Sequence, residues 1–526
     1  MATSQAARTP FAPTLPYELF TRALTRFAAR PCLAMGDRTM TYAEVDRAST
    51  RLANALAARG VGHRDAVALY LRNGFEVVIA DMAIIKLGAV RTPLNEMLSA
   101  SDIGYMLAFS EAKALIAHSS FSENLAAAAE AVSDVDIRLC VADSGDLAGF
   151  EDFQGALEAV SDDAPPRPSL RPDDPHFIGF TGGTTGKSKG VVHQMAPMAT
   201  NLLCHTMTAE IAADDHLLIH SPIAHAAGLF VQTALIMGAR VTIMSGFDPA
   251  EMLRLVEAEK ITWTFMVPTM IYRVLDHPDL AARDTTSIRT IFYGAAPITS
   301  SRLQQGIDVF GLVFKQLYGQ TEAPNFVCAL EKADHLTPDL QRSCGQPTVF
   351  CEVAIRDDQG AELPMGEVGE ITARSPFTLA GYYKEPGKTA DAHWGEWLRT
   401  GDVGYQAESG HVFLVDRSKD MIISGGMNVY STEVEDVVQR HPMVSQVVVI
   451  GLPDEDWGEA VTAFIVPAPG DFDPDAVLAF AKGELAKYKA PKRVIRIDAV
   501  PVTAYGKADK KALRKDYWGD RDRAIN

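Results

Sequence analysis

The sequence predicts an α/β protein with a parallel sheet covered by helices, a β-rich segment around residue 400 and an α+β module at the C-terminus. Three observations support this prediction. Residues 1–170 alternate helical and strand patterns, as chains with parallel sheets do. Residues 345–416 form short β-rich runs punctuated by Gly-Glu and Pro, which indicates a small antiparallel barrel or sheet. After residue 430, helix and strand patterns alternate again.

The chain is long and acidic. Its 526 residues allow several domains, and its 47% hydrophobic and 22% charged content is ordinary for a globular protein. The formal net charge of −18 argues against a nucleic-acid partner, because such binding needs basic patches facing phosphates. An anionic substrate would therefore be held by local lysines, arginines or a metal ion.

The cysteines and the two ends of the sequence give expectations about the cellular compartment of the protein. The six cysteines are scattered without a CxxC pair, which leaves zinc and thioredoxin-type sites unsupported and favours a reducing cytoplasm. The N-terminus lacks a signal-peptide pattern, and the C-terminus is not a peroxisomal address. The apolar residues 77–90 include Asp81 and Lys86, so we predict a core helix rather than a membrane span.

The first third of the chain is interpreted as scaffold. Tyr42–Ala58 has the pattern of an amphipathic helix, and Ala66–Tyr70 that of a strand. Residues 165–168 carry three prolines in an acidic connector.

A glycine-rich loop follows this connector. Phe177–Phe180 is predicted to be a buried strand, and it leads into Thr181–Gly190, which holds four glycines, three threonines and two lysines. Such a loop can turn successive N–H groups towards an anion, so we expect it to bind a polyphosphate. A solvated turn is the plainer alternative. A P-loop is disfavoured, because Thr181 stands where that motif has its first glycine.

Two further segments are predicted to end at the same sheet edge. The strands 261–267 and 290–293 run into turns at Pro268 and at Gly294–Pro297. Ligands of open α/β sheets bind outside the carboxyl ends of strands, so Gly294, Ala295 and Ala296 are candidates for a wall against a flat group. Read by itself, His225, which lies among small apolar residues, is more typical of a packed core histidine.

The segment 317–322 concentrates polar chemistry after a predicted strand, 312–317. Tyr318 can stack on a purine, Gly319 permits close approach, and Thr321 can donate to phosphate. Glu322 offers an oxygen ligand suited to Mg²⁺. Asp402 could accept both hydroxyls of a ribose, although Gly-Asp pairs are also common in turns.

The C-terminal part is less specific. Ser431–Glu435 is predicted to open a helix with its own capping residues. Lys507, Lys510 and Lys511 taken alone are typical of a solvated lysine cluster.

Taken in order, these segments resemble the motifs of the adenylate-forming enzymes, namely acyl-CoA synthetases, peptide-synthetase adenylation domains and firefly-type luciferases. The glycine loop resembles TSGTTGxPKG, with Gly182 for Ser and Ser188 for Pro, and the first change removes a hydroxyl from the phosphate site. The segment around His225 is similar to PLxHxxGL, and YGxTE is intact. Residues 400–402 match TGD, and residues 501–514 are similar to PxTxxGKxxKxxLR.

The resemblance implies an architecture. Residues 1–418 would form a large N-terminal domain of two αβ-layered subdomains and a small β-barrel, which binds ATP and the acid. Residues 419–526 would form a mobile α+β domain that carries the catalytic lysine, with Lys419 as the hinge.

The resemblance also assigns roles to residues. It implies a catalytic role for Lys507, Thr184 and Glu322, with Glu322 also the Mg²⁺ ligand, and acyl contacts for His225, Phe230, Gly294 and Gly319. The nucleotide contacts implied are Thr181, Gly182, Gly183, Thr185, Gly186, Lys189, Gly294, Ala295, Ala296, Tyr318, Gly319, Gln320, Thr321, Asp402 and Arg417. The coenzyme A contacts implied are Gly425, Gly426, Trp457 and Tyr488.

The implied reaction joins a carboxylic acid to coenzyme A through an acyl-adenylate, with ATP and Mg²⁺. An aromatic acid such as a hydroxycinnamate is the expected substrate, and a medium- or long-chain fatty acid is the alternative. A luciferase-like oxygenase would share the motifs. A peptide-synthetase module would need a carrier domain, which does not follow Lys507 in this sequence. We expect no nucleic-acid partner and no membrane span, and a homodimer is an open expectation.

Overall fold

The computed structural model describes residues 14–143, 147–181, 188–417, 420–454, 456–502 and 508–518, with the backbone alone for Arg417 and Asp516. Its α-helices are α1 (Pro16–Arg26), α2 (Tyr42–Ala58), α3 (Phe75–Leu87), α4 (Ala100–Ser110), α5 (Ser122–Ala127), α6 (Ala129–Ser133), α7 (Phe153–Glu158), α8 (Met195–Thr208), α9 (Ala226–Met237), α10 (Pro249–Glu259), α11 (Pro268–Leu275), α12 (Ser300–Phe310), α13 (Pro386–Asp391), α14 (Ser431–Val438), α15 (Pro474–Glu484) and α16 (Lys510–Trp518).

Its strands are β1 (Pro31–Met35), β2 (Arg38–Thr41), β3 (Ala66–Tyr70), β4 (Val90–Pro93), β5 (Ala114–His118), β6 (Ile137–Val141), β7 (Glu151–Asp152), β8 (Pro175–Thr181), β9 (Lys189–Gln194), β10 (His216–Ile219), β11 (Arg240–Ile243), β12 (Trp263–Met266), β13 (Thr290–Gly294), β14 (Phe314–Gln320), β15 (Ala323–Leu330), β16 (Gln346–Pro347), β17 (Glu352–Arg356), β18 (Gly369–Arg374), β19 (Gly381–Tyr382), β20 (His393–Trp394), β21 (Trp397–Gln406), β22 (Val412–Arg417), β23 (Ile422–Ser424), β24 (Met427–Val429), β25 (Val444–Asp454), β26 (Gly458–Pro467) and β27 (Arg493–Arg496).

Local sequence explains the early helices. Thr41 caps α2 by accepting from the Glu44 N–H, and Glu44 reaches back to the Thr41 N–H. The predicted core helix is α3, which ends at Gly88 in a left-handed conformation (φ +64°). Two of its charged side chains are buried but paired, Asp81 with Arg91 and Lys86 with Asp46, which is why an apolar helix tolerates them.

Two large, mainly parallel sheets form the body of the chain. The first has the order β16-β15-β14-β13-β12-β10-β11-β1-β2, with antiparallel strands at its edges. The second has the order β19-β9-β8-β4-β3-β5-β6-β7, antiparallel only at β8-β9-β19. The largest apolar core joins them, because it combines strand residues of β3 and β10 with the buried faces of α3 and α9. The predicted alternation of helices with parallel strands is confirmed.

Two smaller sheets complete the fold. β17-β18-β21-β20, with β22 beside β21, form an antiparallel half-barrel where a small antiparallel barrel or sheet was predicted. β24-β23-β26-β25, with β27 beside β26, form the sheet of the small α+β domain. The last half-barrel strand ends at Arg417 and the first strand of the terminal sheet begins at Ile422. The boundary between residues 418 and 419 stays a prediction, since both lie outside the described residues.

The prediction that α14 supplies its own cap was wrong. Its N-cap is Tyr430, which makes no side-chain cap bond. The Ser431 N–H instead donates to the Asp416 carboxylate at 2.6 Å, and the Thr432 hydroxyl donates to the Val415 carbonyl. Both acceptors lie on β22, so the half-barrel caps the first helix of the terminal domain.

Among the described helices, none has the length and apolar character needed to cross a bilayer.

Candidate active site

The glycine-rich loop connects two paired strands. β8 and β9 run antiparallel up to the pair Thr181 and Lys189, at the two ends of the loop sequence. Gly182, Gly183, Thr184, Thr185 and Gly186 lie outside the described residues, and their predicted contacts stay predictions.

Lys189, at the far end of the loop, is linked to Glu322. Its ammonium lies 4.4 Å from the ring centroid of Tyr382, and the Tyr382 hydroxyl donates to Glu322 Oε1 at 2.9 Å. Burial and the Glu322 charge both raise the pKa of Tyr382, so its hydroxyl stays protonated and remains a donor. The structure thus brings together two predicted site residues from distant parts of the chain.

The YGxTE segment differs from its predicted local structure. It was predicted to begin the loop after a strand, but β14 continues through Gln320, and β15 starts at Ala323. Only Thr321 and Glu322 form the turn of this hairpin. The antiparallel pairing with β15 extends β14 beyond Leu317 and shifts register between Tyr318 and Gln320.

A buried histidine holds this turn. The Thr321 carbonyl lies 2.7 Å from His193 Nε2, and because a carbonyl can only accept, Nε2 carries the proton. Burial lowers the pKa of His193 to about 4, so the imidazole is neutral. His193 lies on β9, four residues after Lys189. Its hydrogen bond therefore connects the β8–β9 hairpin to the Thr321–Glu322 turn.

The Glu322 carboxylate fits a Mg²⁺ ion. It accepts one hydrogen bond at Oε1 and can offer further lone pairs. Mg²⁺ bound with a nucleotide usually takes one or two carboxylates together with phosphate oxygens and waters. A single carboxylate beside a phosphate loop is therefore a suitable donor set.

The predicted ribose contacts lie side by side. Asp402 on β21 pairs with Arg417 on β22, so the backbone makes them cross-strand neighbours. The Tyr318 hydroxyl donates to Asp402 Oδ2 at 2.7 Å. Burial, and next the Asp402 charge, raise the pKa of Tyr318 well above its usual value. The Tyr318 hydroxyl therefore stays protonated and is a permanent donor to Asp402.

The predicted wall at the end of β13 is tightly built. A Cβ on Gly294 would lie 2.6 Å from the Leu317 carbonyl oxygen, so the position accepts only glycine without a shift. Ala295 follows with φ +66°, an unusual value for a residue with a side chain. Such backbone strain clusters at ligand sites.

His225 lies at the N-terminus of α9, and its acyl contact stays a prediction. It is the N-cap residue of that helix, and its Nε2 lies 2.5 Å from the amide nitrogen of Asn95. Phe230, one turn further along α9, is fully buried in an aromatic cluster with Trp263, Phe292 and Phe326. The acyl contact of Phe230 stays a prediction.

The coenzyme A candidates gather around one lysine. Gly425 has φ +60° and its N–H donates to the Trp457 carbonyl at 2.8 Å, while Gly426 has φ +77°. Lys492 lies 4.2 Å from the Trp457 ring centroid and donates to the Tyr488 carbonyl at 3.4 Å. Lys492 was absent from the predicted contacts.

Lys507 and Lys419 lie outside the described residues. The segments that follow them, however, are connected by hydrogen bonds and ion pairs around the start of α14 and α16. Lys510 bonds to Glu435 at 2.9 Å and to the Ser431 hydroxyl at 2.6 Å, and Arg514 bonds to Asp420 at 3.0 Å. Burial would favour neutral Lys510, but the carboxylates of Glu435 and of the domain junction outweigh it and raise the pKa of Lys510.

Sequence reasoning missed His193, Tyr382 and Asn95. Each makes its contact with a residue 60 or more positions away. The one local signal was the position of His193 on the strand that returns from the glycine loop.

The two-sheet fold, with its β8–β9 hairpin, its YGxTE turn and Asp402 beside Tyr318, has the features expected of a nucleotide-dependent ligase. Residues 20–383 match the family model "AMP-binding enzyme", and residues 433–507 match "AMP-binding enzyme C-terminal domain". The chain belongs to the AMP-binding enzyme family.

Three similar proteins illustrate this membership. The medium/long-chain-fatty-acid–CoA ligase FadD8 of Mycobacterium tuberculosis is 37% identical, over 98% of this chain and 92% of its own. The feruloyl-CoA synthase of an Amycolatopsis species is 36% identical, over 92% and 95%. The crystal structure of ATP-bound MatB from Rhodopseudomonas palustris superposes with a TM-score of 0.86 at 28% identity, over 96% and 99%. The chain is an acid–thiol ligase, and its carboxylate–CoA ligase activity uses ATP and coenzyme A.

Proposed function

We propose that this ligase activates an aromatic carboxylic acid of the hydroxycinnamate type, such as a ferulate or coumarate, as its CoA thioester. The observation that carries the proposal is the shape of the first part of α9. Ala226 and Ala227 give its first turn small side chains, and one turn deeper the Phe230 ring is fully buried in its aromatic cluster. Small side chains at the start of α9 suit a flat ring, and the packed aromatic cluster behind them would stop a long flexible chain. Similarity to a feruloyl-CoA synthase supports the same choice.

The proposed reaction has two steps. The carboxylate oxygen attacks the α-phosphorus of ATP, the bond to the bridging oxygen breaks, and pyrophosphate leaves with that electron pair. The sulfur of coenzyme A then attacks the carbonyl carbon, and AMP leaves as the C–O bond breaks, while the thiol proton passes to solvent. The first step joins two anions, so positioning and charge compensation carry most of the rate enhancement.

We assign the following roles within this proposal. The glycine-loop amides and Lys189 hold the phosphates, and Asp402 accepts from the ribose hydroxyls. Glu322 would hold Mg²⁺, which neutralises phosphate charge when bound. The His193 N–H keeps the Glu322 turn in place through the Thr321 carbonyl. Lys419 is the hinge about which the terminal domain turns, and Gly425, Gly426, Trp457 and Tyr488 meet coenzyme A.

The test is pyrophosphate release measured across cinnamic, benzoic and fatty acids, with and without coenzyme A. We expect the highest kcat/KM with a hydroxycinnamate and formation of its thioester when coenzyme A is present. Highest activity with octanoate or a longer chain would favour the second candidate, a fatty acid–CoA ligase, which the similarity to FadD8 supports. Light emission or oxygen uptake with a luciferin would indicate the oxygenase instead.

The role of Lys507 gives a sharper prediction. We expect Lys507→Ala to lower the adenylation rate by about 10²–10³-fold, the usual cost of losing one preorganised donor. Thioester formation from a supplied acyl-adenylate should remain, because that step does not use the lysine charge. The exposed Lys511 is a matched control, and Lys511→Ala should leave both half-reactions unchanged. Equal losses in the two half-reactions of Lys507→Ala would refute the assignment.

A further inference from the structure

Asn95 lies against His225 and belongs to none of the motifs. It lies two residues after the end of β4 and is 2% exposed. Its Nδ2 lies 2.5 Å from His225 Nε2, and its Oδ1 accepts from the Met97 N–H at 2.9 Å. As part of the proposed function we place His225 at the acyl site, so a buried amide faces a ring beside the substrate carboxylate.

The Met97 bond determines which way the amide points. An N–H can bond only to the amide oxygen, so the NH₂ end of Asn95 must face the imidazole. An amide NH₂ can donate but cannot accept, and therefore His225 Nε2 is the acceptor. The proton of the ring then resides on Nδ1, and the imidazole is neutral.

Hydrogen bonds to the backbone before His225 keep the ring in the position that favours the Nδ1–H tautomer. Asn73 donates to the Ser221 carbonyl at 3.0 Å and accepts from the Ile223 N–H at 2.9 Å. Arg91 donates to the Ile223 carbonyl at 3.2 Å. As the N-cap residue of α9, His225 also lies at the positive end of the helix dipole, which disfavours a second ring proton.

We propose that Asn95 is a positioning residue that holds His225 as the neutral Nδ1–H tautomer. This inference rests on the proposed placement of His225 at the acyl site. A neutral ring can donate from Nδ1 to one carboxylate oxygen without protonating it, so the attacking oxygen keeps its negative charge. An imidazolium would pair with the carboxylate more strongly and weaken it as a nucleophile.

Asn95→Asp tests the tautomer directly. The aspartate can still accept from the Met97 N–H, but its second oxygen cannot donate, so a proton is drawn to His225 Nε2. We expect kcat of acid-dependent pyrophosphate exchange to fall about tenfold to a hundredfold, the effect of one hydrogen bond to a charged group. The KM for ATP should stay within twofold, because Asn95 acts through His225 at the acyl site and not through the nucleotide. Asn95→Ser removes the amide without adding charge and should cause a smaller loss.

Asn124 supplies the matched control. The side-chain amide of Asn124 donates to the Tyr70 hydroxyl at 3.0 Å and to the Leu98 carbonyl at 3.2 Å. It therefore supports the segment that follows Asn95, and these hydrogen bonds do not involve His225. Asn124→Asp should lower the melting temperature as much as Asn95→Asp while leaving kcat unchanged. Equal kcat losses in the two variants would overturn the proposal.

A double-mutant cycle separates positioning from general support. In the His225→Ala background, Asn95→Asp and Asn95→Ser should cause no further loss, since contacting residues that act together are not additive. Additive losses would overturn the proposal while leaving the ligase function intact. If His225→Ala alone changes neither kcat nor the KM for the acid, the placement of His225 at the acyl site fails instead.

Discussion

Gly319 shows how a single residue sets the shape of the site. A Cβ at this position would lie 2.7 Å from the Asn325 carbonyl carbon and 2.8 Å from the Ala323 carbonyl oxygen. Both are backbone atoms of the opposite strand, which cannot move aside as a side-chain end could. Asn325 is itself held with φ +61° and donates to the Ala226 carbonyl at 3.3 Å, so a shift there would reach the start of α9.

We therefore expect Gly319→Ala to destabilise the protein by about 1–3 kcal/mol, the usual cost of overpacking, and to raise the KM for the acid. Thermal melting and pyrophosphate release measure the two effects. Gly387→Ala is the matched control, because a Cβ there meets nothing within 4 Å. A variant Gly319→Ala that melts and reacts like the wild type would contradict this account of the hairpin.

Residue chemistry explains what the sequence could and could not predict at the site. Asp402 and Arg417 were predicted from local motifs, and the strand register makes them neighbours. His193 and Asn95 were not predicted, because nothing in their surrounding sequence marks them. Their roles arise from partners 128 and 130 residues further along the chain.

At the scale of elements, hydrophobic periodicity predicted the type of helix or strand well, whereas the caps that end an element were harder to predict. α2 and β3 have the predicted bounds, because a capping box and a fully buried apolar run fix them locally. The start of α14 was predicted with its own cap, yet its cap comes from Asp416 on β22. Tertiary contacts of this kind cannot be read from the local sequence.

The cap on α14 leads to a prediction about the domain junction. Asp416→Ala leaves the Ser431 N–H without its carboxylate and should cost about 0.5–2 kcal/mol. It also removes a negative charge that favours protonated Lys510, three residues after Lys507. We expect the thermal midpoint to fall and the ratio of adenylation to thioesterification rates to change.

Asp248→Ala is the comparison for this junction. Asp248 caps α10, a helix of the N-terminal domain, by accepting from the Glu251 N–H at 2.8 Å. Asp248→Ala should destabilise the protein to a similar degree, but it should change the adenylation and thioesterification rates by the same factor. If the two variants change the rate ratio equally, the cap of α14 has no special role in the two-step reaction.

At the scale of the whole molecule, buried histidines make stability depend on pH. Burial lowers the pKa of seven of the described histidines, and in four of them the pKa falls far, to about 3 for His176 and His220 and about 4 for His193 and His205. In the unfolded chain these rings would titrate near pH 6.5. Between these values the unfolded state binds protons that the native state does not, so stability falls as the pH falls.

We expect each of these histidines to cost about 1.4 kcal/mol per pH unit below pH 6.5, until its folded pKa is reached. The thermal midpoint should thus be level from pH 8 to 7 and drop progressively from pH 6 to 4.5. His205→Gln removes one group that binds a proton only in the unfolded state, so the thermal midpoint should fall less steeply with decreasing pH. His277→Gln, at a partly exposed site, should leave the pH dependence of the thermal midpoint unchanged. His205 suits this test because its ring packs against Phe326 and Phe230, away from the β8–β9 hairpin. A midpoint that stays constant down to pH 4.5 would mean that these rings are protonated in the native state, and the neutral His193 assigned to the Thr321 carbonyl would then be wrong.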